Sequence, residues 1–155
     1  MFAVPENTIA LPETRVVPHP VRVALAFAAR RERWAHLLRY DPDHRFATLV
    51  EGSGDQEVWL MSWLPGQRTD LHDHGLTSGA FTVVSGSLTE VVGSGASQAL
   101  HHLRAGQSRV FGPDYAHQVR NDGTDPAVTL HVYRDGGRTM RPVRYTPIPE
   151  TPATS

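Results

Sequence analysis

The sequence predicts an all-β fold, a small barrel or sandwich, preceded by a helical segment. After residue 40 the chain breaks into short runs rich in β-branched and aromatic residues, at 46–50, 57–63, 79–85, 88–92, 108–111, 117–121 and 128–133. Glycine clusters lie between them, and the stretches 52–55 and 93–97 suit the loops between hairpin partners. Ahead of residue 41 the composition is different: Val21 to Tyr40 is rich in Ala, Leu and Arg, with Val23, Phe27, Trp34, Leu37 and Leu38 near helical spacing.

Taken in order, residues 1–20 hold Pro5, Pro12, Pro18 and Pro20 among polar residues and read as an extended arm. Residues 21–40 follow as one helix or two short ones, ended by the Asp41-Pro42 step, which disfavours helical backbone before the proline. The strands then complete a single domain spanning 21–145. The segment 146–155, with Pro147, Pro149 and Pro152, reads as a loosely held tail.

A chain of 155 residues has room for one proper core. Its formal net charge of -1 gives no electrostatic case for nucleic acid or an anionic membrane as partner. All 15 basic residues are arginine, scattered along the chain and balanced by 16 acids. No stretch approaches the roughly 18 to 20 apolar residues of a membrane span, and no basic region followed by an apolar core opens the chain, so the expected location is cytoplasmic, as a monomer or small homo-oligomer. The absence of cysteine removes thiolate ligands and leaves His and carboxylates for any metal, and there are nine histidines.

Two of them, His72 and His74, flank Asp73 within a segment bracketed by Gly66 and Gly86. On a strand, residues i and i+2 point to the same face, so the pair can grip one ion. The segment resembles the first metal motif of the cupin family, a glycine, five residues, His-x-His, then a glutamate and a glycine, except that Gly79 stands at the glutamate position. The stretch from Gly106 to Asn121, with Pro113, His117 and a His-x3-Asn spacing, resembles the second cupin motif with its proline turn one residue short, and makes His117 the third ligand. Three neutral imidazoles leave open positions on one side of a metal, and such a set suits Zn, Cu, Fe and Ni alike. The missing acidic ligand is similar to the thiol dioxygenases, cysteine dioxygenase foremost, and that resemblance implies Fe(II). It also marks Gly79 as the bacterial variant, without the cysteine that animal enzymes cross-link to a tyrosine.

The strand Ala127 to Tyr133 alternates so that Thr129, His131 and Tyr133 share one face. Burying three hydrogen-bonding groups is costly unless they satisfy one another. The series resembles the Ser-x-His-x-Tyr relay of thiol dioxygenases, which implies a phenol directed at the iron. A thiol acid also needs a cation for its carboxylate, and an arginine fork is the natural receptor. By resemblance to cysteine dioxygenases Arg45 is the nearest candidate, Arg141 fits the pattern of 3-mercaptopropionate dioxygenases, and Arg68 is simply close to His72. After Tyr133 the family often reads Ser-Pro-Pro, whereas this chain reads Arg134 to Gly137 as RDGG. The resulting expectation is a cupin that uses Fe(II), O2 and a small thiol, oxidising L-cysteine to cysteine sulfinate. The alternatives are 3-mercaptopropionate or another small thiol as substrate, and a non-catalytic metal-binding cupin.

Overall fold

Pro20 begins the helix. Its ring presets the backbone at the first helical position, and His19 caps the end, its Nδ1 accepting from the Val21 N–H at 3.1 Å. In the computed structural model, which describes residues 18–93, 97–134 and 140–142, this helix, α1, runs Pro20–Ala28 and buries Pro20, Ala24 and Phe27 along one side. The expected helical stretch 21–40 is therefore helical only in pieces, with single 3-10 turns at Arg31–Arg33 and Ala35–Leu37 completing it. Trp34 accounts for the break: buried between these turns, it donates its indole N–H to the Phe27 carbonyl at 2.8 Å, satisfying a helix-end carbonyl without another helical turn. Of the 1–20 arm, residues 1–17 lie outside the described residues, as do all of 146–155 and the 135–137 part of the departure after Tyr133.

Ten strands follow among the described residues: β1 (Phe46–Ser53), β2 (Gln56–Trp63), β3 (His72–Asp73), β4 (Gly79–Ser85), β5 (Ser87–Val92), β6 (Ala99–Arg104), β7 (Ser108–Phe111), β8 (His117–Arg120), β9 (Ala127–Arg134) and β10 (Arg141–Pro142). They form two antiparallel five-stranded sheets, in the orders β1-β2-β9-β4-β7 and β10-β3-β8-β5-β6. The fold is the mostly-β barrel with a preceding helix that the sequence predicts. His101 and His102, in a stretch outside the runs read as strands from the sequence, belong to β6; they alternate along a strand edge, half-buried and exposed.

The first sheet packs apolar side chains on both faces. Val58 and Leu60 of β2 and Val128, Leu130 and Val132 of β9 pack outward against Ala24, Phe27 and Trp34. Met61, Trp63, Phe81, Phe111 and Tyr133 pack inward with Leu88, Leu103 and Val119 of the facing sheet. The helix thus covers the back of β9, which frees the opposite face of that strand to carry polar groups inside the barrel.

Candidate metal centre

His72 and His117 are placed opposite each other by the β3–β8 register. The chain reaches β3 along β8, where Gly66 N–H donates to the Asn121 carbonyl, Thr69 N–H to the Val119 carbonyl and Val119 N–H to Thr69 Oγ1. Gly66, at φ 87°, makes the turn that starts this run. Asn121 of the His-x3-Asn spacing is buried and donates Nδ2 to the carbonyls of Trp63 and Asp125, both at 2.9 Å, pinning the end of β8 to the end of β2. The shortened proline turn is closed by Asp114, at φ 58°, whose N–H donates to the Gly75 carbonyl.

The imidazoles of His72, His74 and His117 are buried, with one nitrogen of each lying within 4.8 Å of the others. His72 Nδ1 lies 2.7 Å from the Asp70 carbonyl, which only accepts, so Nδ1 carries the hydrogen and Nε2 presents a lone pair. His117 Nδ1 lies 2.9 Å from Glu90 Oε2, which fixes the same tautomer there. Both Nε2 lone pairs meet His74 Nε2, the distances to it being 3.2 Å from His72 and 3.3 Å from His117. One hydrogen on His74 can satisfy only one of those lone pairs, whereas a cation satisfies all three. Metal–nitrogen bonds of about 2.1 Å set about 90° apart would space the nitrogens at about 3 Å. The residues therefore fit a divalent transition metal. Burial lowers the His72 pKa to about 4, so the ring is neutral, as a ligand must be.

Gly79 opens β4 between Phe111 and Tyr133. A Cβ there would sit 2.4 Å from Phe111 Cζ and 2.5 Å from the Val132 carbonyl oxygen, so the Phe111 ring fills the place where a side chain at 79 would stand. That ring stacks on His74, with centroids 4.8 Å apart.

Thr129, His131 and Tyr133 do form a chain of contacts: Thr129 Oγ1 to His131 Nε2 at 2.8 Å and His131 Nδ1 to Tyr133 Oη at 3.2 Å. Its origin lies one residue further back, in Trp63, whose Nε1 donates to Thr129 Oγ1 at 2.9 Å. Burial, reinforced by the nearby Arg45 charge, holds His131 well below the usual imidazole pKa. A small cavity is lined by His72, His117, His131, Tyr133, Arg45 and Met140. The Arg45 guanidinium lies 4.7 Å over the Trp63 ring and donates Nη1 to Met61 Sδ at 3.1 Å. Arg141 pairs through its backbone with Asp73, and its side chain lies outside the described residues. Arg68 is exposed, bridges to Arg120 through its backbone and does not line the cavity.

Two residues that no sequence motif marked stand out. Trp63 heads the relay. Glu90 is fully buried in β5 and accepts from His117, from Arg109 Nε at 2.7 Å and from the Tyr115 hydroxyl at 3.2 Å. Burial alone would push its carboxyl up, but the His117 and Arg109 hydrogen bonds hold it below the usual range and ionised. The one available signal was an acid in the middle of the short strand Leu88 to Val92, where only Thr89 is otherwise polar.

Fold and site together define a cupin whose interior can hold a metal through three histidines. The family profile described as cysteine dioxygenase type I matches residues 17–142, and the chain belongs to that family. No curated protein matches the sequence. Among solved structures, TT1209 from Thermus thermophilus is 28% identical with a TM-score of 0.57, the match covering 64% of this chain and 91% of that one. A protein with a double-stranded β-helix domain from Klebsiella pneumoniae is 23% identical over 69% and 90% of the two chains, TM-score 0.60. A cupin superfamily protein from Desulfitobacterium hafniense is 11% identical over 66% and 87%, TM-score 0.56. The last two show the fold alone. Family, fold and the three-histidine site point to a metal-dependent cupin dioxygenase.

Proposed function

We propose that the protein is an Fe(II)-dependent thiol dioxygenase that oxidises L-cysteine with O2 to cysteine sulfinate. The observation that carries this is the meeting, over one small cavity, of the imidazoles of His72 and His117, the Tyr133 phenol and the Arg45 guanidinium. Bound Fe(II) would supply the redox chemistry that joins the thiol sulfur to O2.

The protein's own contribution is orientation and hydrogen bonding. An indole N–H can only donate, so Trp63 occupies one lone pair of Thr129, and we assign the Thr129 hydroxyl hydrogen to His131 Nε2. Neutral His131 then carries its hydrogen on Nδ1 and donates to the Tyr133 oxygen. With its oxygen accepting from His131, the phenol, which lines the cavity, can donate to negative charge on the reacting sulfur or oxygen. Arg45 supports a carboxylate-bearing substrate: a thioether is a weak acceptor, and a carboxylate in its place would form a charge-assisted pair with the same guanidinium. Holding both ends of the thiol accounts for much of the expected rate advantage.

One observation favours a second substrate. Arg141 starts from the strand beside His72, so 3-mercaptopropionate held by Arg141 is the alternative within the same chemistry. Anaerobic loading with Fe(II) followed by oxygen uptake with cysteine, 3-mercaptopropionate and cysteamine tests the choice. Cysteine is expected to be fastest and cysteamine, which lacks the carboxylate, slowest. Arg45→Ala should raise the KM for cysteine roughly thirtyfold or more, since losing one partner of a charge-assisted pair costs about 2 to 5 kcal/mol. A steep effect of Arg141→Ala with a mild one of Arg45→Ala, together with faster turnover of 3-mercaptopropionate, would move the assignment to the alternative.

A further inference from the structure

The candidate ligand set is three imidazoles and no carboxylate, yet a carboxylate stands one bond network behind it. Glu90 Oε2 accepts from His117 Nδ1, while Oε1 is taken by Arg109 Nε and the Tyr115 hydroxyl. Arg109 also donates Nη2 to the Tyr115 oxygen at 3.1 Å, so the three side chains close into one network across the two sheets. Glu90 has no exposed side-chain surface, whereas Arg109 retains 29%. A buried carboxylate of this kind is expensive unless it serves as an acceptor for strong donors, and two of its three donors serve to hold it. The third is a candidate metal ligand.

We infer that Glu90 is a positioning residue for the metal centre: through His117 it supplies the negative charge that the directly ligating groups lack, raising the donor strength of that imidazole and favouring the oxidised over the reduced metal, while Arg109 attenuates the effect from the protein surface. This rests on the three-histidine site and is independent of which thiol is used. A carboxylate accepting from the distal nitrogen fixes the tautomer with the lone pair on Nε2 and makes the ring more basic. Glu90 and Arg109 then act in opposite directions, because one brings a negative charge towards the metal and the other a positive charge.

The test uses the full chain loaded anaerobically. Metal affinity is measured by chelator competition with Co(II) and Fe(II), and the Fe(III)/Fe(II) midpoint potential by spectroscopic titration at mildly alkaline pH, for the wild type, Glu90→Gln and Arg109→Gln. Glu90→Gln should bind metal on the order of 10- to 100-fold more weakly and shift the potential upward. Arg109→Gln, a change at a partly exposed position, should shift the potential downward while retaining metal. A packing role alone would move both variants the same way or not at all. Wild-type affinity and potential in Glu90→Gln, or shifts of the same sign in both variants, would overturn the inference while leaving the thiol reading intact; a wild type that takes up no metal would overturn both.

Discussion

At the scale of single residues, the Tyr133 hydroxyl is the group with most to lose by removal. Tyr133→Phe deletes one donor and little volume, and turnover should fall on the order of tenfold to a thousandfold with iron content unchanged. Turnover and coupling of O2 uptake to sulfinate at wild-type levels in that variant would make the strand's polar row structural. Much of this neighbourhood was legible in the sequence: strand alternation alone put Thr129, His131 and Tyr133 on one face, and the i, i+2 spacing put His72 and His74 on one side of Asp73. Trp63 and Glu90 were not legible. Their roles depend on which donor or acceptor faces them from 66 and 27 residues away, and periodicity along one strand carries no information about its neighbour across the sheet.

At the scale of elements, β9 joins the two cores, with its apolar side under α1 and its polar side in the barrel. Leu130→Ala should therefore cost about 2 to 5 kcal/mol of stability in chemical denaturation and also loosen the relay on the opposite face, lowering turnover without touching the cavity. Unchanged turnover in a folded Leu130→Ala would show that the relay is held by its own hydrogen bonds. Gly79→Cys should destabilise by about 1 to 3 kcal/mol, because the new Cβ meets the Phe111 ring and the Val132 carbonyl; equal stability would mean that Phe111 swings aside easily. The strand runs were readable from β-branched composition and glycine punctuation. The early end of α1 was not, since it follows from the Trp34 side chain turning back onto the Phe27 carbonyl, a tertiary contact that outweighs the helical propensity of the following Arg-rich stretch. For β6, the pairing of His101 and His102 with Glu90 and Thr89 overrides a sequence with little strand character.

At the scale of the whole molecule, the buried histidines tie stability to pH. His131 is held well below the ordinary imidazole pKa by burial and by the Arg45 charge, and His72 at about 4 by burial. Unfolded, both titrate near ~6.5. As pH falls below that value the unfolded chain takes up protons that the folded chain refuses, so their contribution is fully present above ~6.5 and is lost toward the folded pKa values, at most on the order of 1.4 kcal/mol per pH unit for each group. Urea unfolding of the metal-free protein should show stability declining on acidification through this window, and a flat profile would contradict neutral burial. Among the described residues no helix is long and apolar enough to cross a membrane.

In the proposed reaction, a metal held by three histidines lets this barrel place both atoms of O2 on a thiol. The most direct measurement is a single-turnover reaction of the anaerobically Fe(II)-loaded protein with cysteine and isotopically labelled O2, with the product read by mass spectrometry. The expected product is cysteine sulfinate carrying label at both sulfinate oxygens. Oxygen consumption that yields only cystine or unlabelled product, from protein with a full complement of iron, would contradict it.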